Sequence, residues 1–280
     1  MHAMRKIFDE EDTNAVLLID ASNAFNSVNR EAFLHNVAVI CPPIATYVNN
    51  CYKIPSRLFV IGGRELLSSE GTTQGDPIAM AVYAIAVIPL MLMLLQITNR
   101  LPDKQTKMAA YADDFSAGGS LINIKHWWLA LCDMGPKFGY FPEPSKCWLI
   151  VKPKLYKKAL EIFSDTKIKI TMEGKRHLGA IVRSESYRKS YVSGKITEWC
   201  KEIRLLSEIA KIQPQAAYSC FVSGYRQKFN YIMRTVPDIG QMMSLIDDVI
   251  RTDFIPAICE GVVVNDYERL LISLPVRYVG

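Results

Sequence analysis

The sequence predicts an α+β fold in which an antiparallel sheet carries helices on one face and is followed by a helical module. Short apolar runs of strand length, such as Ala15–Ile19 and Trp148–Val151, alternate with longer helical segments in the first two thirds of the 280-residue chain. From Ser190 onward only helical periodicity remains. Strands mixed with helices, and then a run of helices, are typical of an α+β domain followed by a separate unit. We therefore expect a first domain over residues 1–184 and a helical domain over residues 185–280.

The first part of the chain predicts a buried strand, two helices and a hairpin. Ala15–Ile19 is wholly apolar, which is typical of a central strand, and it is followed by Asp20. Two prolines after Cys41 separate two helical patterns. Gly62-Gly63 lies between two short strand-like runs and predicts a hairpin turn. The expected helices and strands of this part are 29–40, 44–52, 57–61 and 65–69.

A polar, glycine-rich loop at residues 70–77 leads into twenty residues without a charge, Ile78–Ile97. That length is sufficient for a transmembrane helix. The stretch is rich in alanine, however, and Pro89 interrupts it. A fully buried helix in a large core accounts for the same pattern, so we expect a buried helix and no membrane partner.

The next part predicts a hairpin with two acids at its tip. The apolar runs Met108–Ala112 and Phe115–Ala117 flank Asp113 and Asp114, and aspartate is a poor strand residue but a good turn residue. Alone, this pattern fits an ordinary surface turn as well as a metal site. A further hairpin is expected across Glu173-Gly174. The other expected helices and strands are 124–134, 148–151, 155–163, 168–172, 177–182, 192–212, 214–235 and 239–258.

The net charge of +5 is mild, but the basic residues are concentrated in the middle of the chain. Residues 121–184 contain twelve Lys or Arg against five Asp or Glu, whereas residues 185–280 contain twelve against eleven. Such a bias fits a solvated lysine-rich face and also fits a surface that binds a polyanion.

The seven cysteines are scattered along the chain, and the four histidines lie apart from them. No two cysteines have C-x-x-C spacing, which argues against a zinc site, and their odd number argues against a complete disulfide framework. Reduced thiols in an intracellular protein fit best, in either the cytoplasm or the nucleus.

Asp20, Asp113 and Asp114 are the candidate catalytic groups. Asp20 ends a predicted central strand, and the other two lie at a hairpin tip that could pair beside it. Carboxylates that converge at one rim of a sheet repel one another, so a cation would stabilise them. Hard oxygen ligands favour Mg²⁺ or Mn²⁺ over zinc, in the two-metal arrangement used for phosphoryl transfer. Because adjacent strand residues point to opposite faces, we expect Asp113 to be the firmer ligand of the pair.

Four segments, in this order, resemble motifs A, B, C and D of the reverse transcriptases of non-LTR, LINE-like retrotransposons. They are LLIDASNAFNSVNR (17–30), EGTTQGDP (70–77), YADD (111–114) and SKCW (145–148). The final LLISLPVRYVG (270–280) is similar to a segment that lies downstream of the thumb in such elements. The resemblance covers about residues 15–182 and implies a polymerase palm with partial fingers, followed by a thumb-like module.

The resemblance implies an RNA-directed DNA polymerase. Such a nucleotidyltransferase adds dNTPs to the 3′-OH of a DNA primer on an RNA template. Asp20, Asp113 and Asp114 match its metal ligands, which would hold two Mg²⁺ or Mn²⁺ ions. Leu178 and Gly179 resemble the turn that grips the primer.

Further positions match the nucleotide site of this family. Phe25 matches the bulky residue beneath the sugar, where a ring excludes a 2′-hydroxyl, and the carbonyl of Ala21 is a further candidate contact. Gln74 and Gly75 match motif B, in which a glycine lets the backbone approach the nucleotide. Lys146 matches the motif D lysine near the leaving pyrophosphate.

The chain departs from the family pattern in one respect. Family members carry a fingers segment ahead of motif A, whereas nineteen residues precede Asp20 here. No endonuclease, RNase H or zinc-knuckle pattern accompanies the motifs. The sequence therefore predicts a piece of a retroelement polyprotein, in which the presence of the motifs does not by itself imply activity.

Two alternatives stay open at this point. The first is a non-catalytic, nucleic-acid-binding relic of a reverse transcriptase that leaves its metal ligands unused. The second is a palm-type RNA-dependent RNA polymerase. The second is disfavoured because those enzymes usually carry Gly-Asp-Asp at the hairpin and lack a ring at the position of Phe25.

Overall fold

The computed structural model describes residues 2–98, 106–261 and 265–268. The chain divides into two compact units, Met1–Leu178 and Gly179–Gly280. The first unit combines helices with a five-stranded sheet, and the second is mostly helical. The predicted α+β fold, with a sheet and its helices followed by a helical module, is confirmed.

The elements of the first unit follow the predicted order closely. Its helices are α1 (His2–Asp9), α2 (Ala24–Ser27), α3 (Arg30–Ile40), α4 (Pro42–Tyr52), α5 (Ala79–Thr98), α6 (Leu121–Met134) and α7 (Tyr156–Ile162). Its strands are β1 (Ala15–Leu18), β2 (Ser56–Val60), β3 (Arg64–Ser68), β4 (Lys107–Tyr111), β5 (Asp114–Gly119), β6 (Trp148–Val151), β7 (Lys169–Thr171) and β8 (Gly174–His177).

The main sheet has the strand order β4-β5-β1-β6-β7, which places β1 at its centre. β1 pairs antiparallel with β5 and β6, and β4 pairs antiparallel with β5. The edge strand β7 pairs parallel with β6, so the sheet is not purely antiparallel. β1 is buried along its whole length, which explains its uninterrupted run of apolar residues.

Alternate residues of the central strands face two different layers. Leu17 and Phe115 belong to the main core, which also contains the buried residues of α5 and α6. Gly118 faces the other layer, where an added Cβ would meet Ile7 of α1 and Val16. Most helices therefore pack on one face, as predicted, and α1 covers part of the other.

The predicted helix boundaries near motif A are explained by local capping. α3 begins after Asn29, whose side chain accepts a hydrogen bond from the N–H of Ala32 at 2.8 Å. α4 begins at Pro42. The first turn of a helix tolerates proline, because the backbone N–H that proline lacks would have no partner there. The two helices therefore meet at Cys41, as the pair of prolines indicates.

Helix α5 is less buried than the sequence predicts. It is the one helix, among the described residues, that is long and apolar enough to cross a membrane. Val82, Leu90 and Leu94 lie in the core, but Met80 and Leu92 are exposed. The expectation of a fully buried helix is therefore wrong for one side of α5.

The predicted hairpin across Glu173-Gly174 is also wrong. β7 pairs with β6 instead of with β8. The turn lies further along the chain, at Leu178-Gly179, between β8 and β9 (Ala180–Arg183). Both turn residues have a positive φ, 47° for Leu178 and 75° for Gly179. The turn is therefore marked by Gly179, two residues after the end of β8, and not by Glu173-Gly174.

The second unit confirms the predicted run of helices. Its helices are α8 (Glu185–Ala210), α9 (Pro214–Cys220), α10 (Arg226–Thr235), α11 (Gly240–Val249) and α12 (Ile255–Ile258). Short π-helical segments join α9 to α10 and α11 to α12. The segment 270–280, with its resemblance to a region downstream of a thumb, lies outside the described residues.

Candidate active site

The candidate site is built on a pair of carboxylates that face each other across two neighbouring strands. Leu18 of β1 lies opposite Ser116 of β5, and the N–H of Ile19 donates to the carbonyl of Phe115 at 2.8 Å. Continuing this antiparallel register by two residues places Asp20 opposite Asp114. Directly opposed residues have Cβ atoms about 4.5–5.5 Å apart, and like charges there repel.

The pKa of Asp114 is raised by its surroundings. Partial burial, together with the charges of Asp113 and Asp20, raises the pKa of the Asp114 carboxyl to about 6. Burial is the largest cause, because a half-buried carboxylate loses part of its hydration. Asp113 and Asp20 therefore both lie within electrostatic reach of Asp114.

Asp113 and Asp114 have different positions at the hairpin tip. The two-residue turn consists of Ala112 and Asp113, since Tyr111 pairs with Asp114. Ala112 has a φ of 54°, which is unusual for a residue other than glycine. Asp114 begins β5 on the same face as Asp20. The expectation that Asp113 is the firmer metal ligand stays a prediction.

Buried aromatic residues hold the hairpin tip from behind. The hydroxyl of Tyr140 donates to the carbonyl of Asp113 at 2.8 Å. The ring of Tyr140 stacks on Phe115 of β5, with the ring centroids 4.4 Å apart. Burial raises the pKa of Tyr140 well above its ordinary value, so this hydroxyl remains a donor. The backbone of the turn is therefore fixed independently of its acidic side chains.

Lys146 shares a cavity with two of the acids. The cavity has a volume of about 330 Å³. Its lining residues are Leu18, Ile19, Asp20, Asp114, Lys146, Trp148, Lys169, Lys175, Arg176 and His177. Burial lowers the pKa of His177 to about 4, so its imidazole is neutral at pH 7. The cavity thus combines two carboxylates with four cations.

The donor set fits a hard divalent cation held by two carboxylates. In the described part of the chain, no three His, Cys, Asp or Glu side chains gather into a metal-binding cluster. Mg²⁺ needs only one or two carboxylates when water and phosphate oxygens complete its shell. The opposed pair Asp20 and Asp114 meets that requirement, with Asp113 close by.

Phe25 lies in the turn after β1, where the chain begins α2. Its half-buried ring stacks on Tyr83 of α5, with centroids 4.5 Å apart and planes 29° apart. Tyr83 is buried, and its hydroxyl has no hydrogen-bond partner among the residues that the structure describes. The carbonyl of Phe25 accepts the N–H of Thr72 at 2.6 Å. The ring of Phe25 is therefore held by α5, and its backbone by the loop that precedes α5.

Gln74 and Gly75 are exposed on that loop, just before α5. Gly75 has a φ of 92°, and an added Cβ would find no atom within 4 Å. Next to it, Asp76 accepts the N–H of Ile78 at 3.0 Å and the hydroxyl of Tyr52. Asp76 thus caps the start of α5 and ties the loop to α4, while Gln74 and Gly75 face solvent.

Arg30 is the main structural residue that sequence reasoning missed. Its buried guanidinium donates to the carbonyls of Ser68, Glu70 and Gly71 at 2.6–3.1 Å. Its own N–H donates to a carboxylate oxygen of Glu70 at 3.0 Å. Arg30 therefore joins the motif A segment to the start of the motif B loop. The signal in the sequence that could have pointed to Arg30 is its position directly after Asn29, the N-cap of α3.

Leu178 and Gly179 occupy the turn after β8. In Gly179, an added Cβ would come within 2.9 Å of the Tyr231 ring, so the close approach requires a glycine. Leu178 ends the first unit and Gly179 begins the second. Ala21 lies beyond β1, where it forms an isolated bridge with Pro142.

Residues 2–126 match the reverse transcriptase (RNA-dependent DNA polymerase) family. The match includes the segments with Asp20, Phe25, Gln74, Asp113 and Asp114, and it spans a little under half of the chain. No curated protein matches the chain.

The chain is also similar to two solved telomerase structures. One is telomerase from Candida tropicalis in complex with a TWJ fragment of telomeric RNA, at 12% identity and a TM-score of 0.46, covering 96% of this chain and 47% of that one. The other is telomerase from Candida albicans in complex with a TWJ fragment of telomeric RNA, at 10% identity and a TM-score of 0.43, covering 97% and 49%. The chain thus spans about half the length of these structures.

Proposed function

We propose that the chain is the RNA-directed DNA polymerase domain of a non-LTR, LINE-like retroelement. The observation that carries the proposal is the placement of Asp20 and Asp114 opposite each other on neighbouring antiparallel strands, with Lys146 in the same cavity. The match of residues 2–126 to the reverse transcriptase family supports it. The substrates would be a dNTP, a DNA primer and an RNA template.

In this proposal the three acids bind and orient the reacting groups. Asp20 and Asp114 would hold divalent ions from one face, and Asp113 would add a carboxylate from the turn. Two Mg²⁺ or Mn²⁺ ions, when bound, supply charge neutralisation for in-line attack of a primer 3′-OH on a nucleotide phosphate. Burial is the largest cause of the raised pKa of Asp114, and the nearby charges of Asp113 and Asp20 add to it. A bound cation would relieve the repulsion among these carboxylates.

Other residues would bind and select the nucleotide. Phe25, supported from behind by Tyr83, presents a ring where a ribose 2′-hydroxyl would clash. Gln74 and Gly75 offer an exposed side chain and an open backbone at the start of α5. Lys146 is an exposed ammonium in the cavity of the two acids, suited to neutralise or protonate a leaving pyrophosphate.

The nucleic acid would contact the basic middle of the chain. Leu178 and Gly179 form a tight turn next to the cavity residues of β8 and would contact the primer. The seven cysteines are free thiols, which fits a protein that works inside the cell.

The test is primer extension by the full chain on an RNA template, with Mg²⁺ or Mn²⁺ and dNTPs. Asp20→Asn and Asp114→Asn are expected to abolish extension, while the matched control Asp133→Asn, at an exposed acid of α6, retains it. Binding of the primer–template without extension in any variant would instead support the non-catalytic relic. Extension that survives both Asn substitutions would contradict the assigned site.

A further inference from the structure

Four cations surround one side of the candidate site. Lys146, Lys169, Lys175 and Arg176 line the cavity of about 330 Å³ together with Asp20 and Asp114. In the described part of the chain, none of these four forms an ion pair with a carboxylate.

Trp148 fixes the position of two of these cations. The ammonium of Lys175 lies 3.9 Å from the centroid of the Trp148 ring, and that of Lys169 lies 5.4 Å from it. Both distances are within the range of a cation–π interaction. The register explains the arrangement, since Trp148 of β6 pairs with Leu18 on one side and with Lys169 of β7 on the other.

Two ammonium groups gathered around one ring repel each other. A bound anion removes that repulsion, and lysine is a common ligand for phosphate. Arg176 adds a planar fork of donors that matches phosphate oxygens. The two lysines at Trp148, together with Arg176 in the same cavity, are therefore suited to bind a phosphate group.

The neighbouring acids favour a metal-bound polyphosphate over a nucleic-acid backbone. Carboxylates repel a bare phosphodiester, but they attract the cation that a polyphosphate carries. In this cavity Asp20 and Asp114 lie beside the cations, so both components of a metal–polyphosphate meet complementary charge. A volume of about 330 Å³ is also at the scale of a small-molecule site.

We propose that Lys169 and Lys175, held at the ring of Trp148, and Arg176 of the same cavity bind the polyphosphate group of the incoming nucleotide and the diphosphate released from it. This proposal rests on the proposed polymerase function for the identity of the nucleotide. The binding of diphosphate itself does not require catalysis.

The experiment is calorimetric titration of the full chain with inorganic pyrophosphate, first in EDTA and then with Mg²⁺. The double substitution Lys169→Gln and Lys175→Gln is expected to weaken binding at least tenfold in both conditions. The control double substitution Lys157→Gln and Lys158→Gln, at exposed lysines of α7, removes the same charge and should leave the affinity unchanged. Lys175→Arg should keep most of it.

Circular dichroism and thermal unfolding are measured on each variant, and affinities are compared only among variants that unfold like the wild type. Equal weakening by both double substitutions would overturn the proposal, because it would show a general charge effect. Loss of affinity for a primer–template duplex, with pyrophosphate binding intact, would also overturn it and assign Lys169 and Lys175 to the nucleic-acid backbone.

The outcome is separable from that of the polymerase test. Pyrophosphate binding that depends on Lys169 and Lys175, by a chain that never extends a primer, would support this site and count against the polymerase. If the chain extends a primer but its affinity for pyrophosphate does not change when Lys169 and Lys175 are substituted, the result would support the polymerase and overturn this site.

Discussion

At the scale of single residues, strand alternation decides which acid of the YADD segment faces Asp20. The sequence places two aspartates side by side, and only one of them can share a face with a given neighbour. The turn consists of Ala112 and Asp113, so Asp114 is the first residue of β5 and lies opposite Asp20. A turn shifted by one residue would have exchanged the two roles.

The raised pKa of Asp114 predicts a pH-dependent stability in the metal-free protein. Because its folded-state pKa is about 6 against an ordinary 3.8, the native state binds more protons than the unfolded state between these values. The free energy of unfolding should therefore fall as the pH rises from about 4 to 6, and stay lower above that range.

Asp114→Asn should remove this dependence and raise the free energy of unfolding at pH 7 by about 1 kcal/mol, a value reduced for solvent screening. Urea denaturation in EDTA at pH 5 and pH 7 measures both effects. Asp133→Asn serves as the control and should keep the wild-type slope. A variant at position 114 with the same slope as the wild type would rule out this origin.

The ring of Phe25 is predicted to select deoxyribonucleotides over ribonucleotides. Phe25→Val should remove the ring that stacks on Tyr83 and admit ribonucleotides, with discrimination against them falling about tenfold or more, equivalent to at least about 1.4 kcal/mol. Phe25→Tyr keeps the ring and should keep the discrimination. Single-nucleotide primer extension with matched dNTP and rNTP measures it. Unchanged selectivity in the valine variant would remove this role from Phe25.

At the scale of elements, the turn between β1 and α3 is clamped by two other backbone segments. In Gly71, an added Cβ would lie 2.3 Å from the carbonyl carbon of Asn26. In Gly139, an added Cβ would lie 1.9 Å from the carbonyl oxygen of Ser27. Both glycines also have a left-handed φ. The segment that carries Phe25 is therefore positioned by close backbone contacts that no side chain could replace.

Gly139→Ala should lower the free energy of unfolding by about 2–4 kcal/mol, because it combines a strained φ with a backbone clash. Gly194→Ala is the control: this glycine lies in α8 with open space around it, so alanine should be neutral or stabilising by up to about 1 kcal/mol. Thermal unfolding compares the two. A tolerated alanine at 139 would show that the turn is not clamped as described.

The hydrogen bonds of Arg30 predict that its guanidinium stabilises the loop at residues 70–77. Arg30→Lys keeps the charge but loses the planar guanidinium that reaches three carbonyls at once, and should lower the free energy of unfolding by about 2–3 kcal/mol. Arg57→Lys, at an exposed ion pair with Glu65, makes the same change and should cost almost nothing. Urea denaturation measures both variants, and equal effects would contradict a special role for Arg30.

At the scale of the whole molecule, charge is concentrated in one region. Residues 121–184 contain twelve basic residues against five acidic ones, whereas residues 185–280 are nearly balanced. A nucleic acid bound through this region should release counterions from its backbone.

If about four of these cations contact phosphates, the affinity for a primer–template duplex should fall about a hundredfold between 50 and 200 mM salt. Fluorescence anisotropy of a labelled duplex measures the slope. An affinity that does not change with salt would argue against the basic middle as the contact surface.

Much of the architecture was determined by local sequence alone. The central strand Ala15–Ile19, the two hairpins before residue 120, the capped helix after Asn29 and the helical second unit each follow from periodicity, proline and glycine, which act over a few residues. The pairing of β7 with β6 was not predictable, because the sequence of a short strand does not determine which strand it pairs with or in which direction.

The candidate site divides in the same way. The sequence alone identifies the residue types, since Asp20, Asp113, Asp114, Phe25 and Lys146 stand in recognisable segments. Only the tertiary structure decides which of them meet. The register of β1 against β5 selects Asp114, the pairing of β6 with β7 brings Lys169 to Trp148, and β8 brings Lys175 to the same ring. The reason is physical, because register and strand partner depend on contacts between residues far apart in the chain.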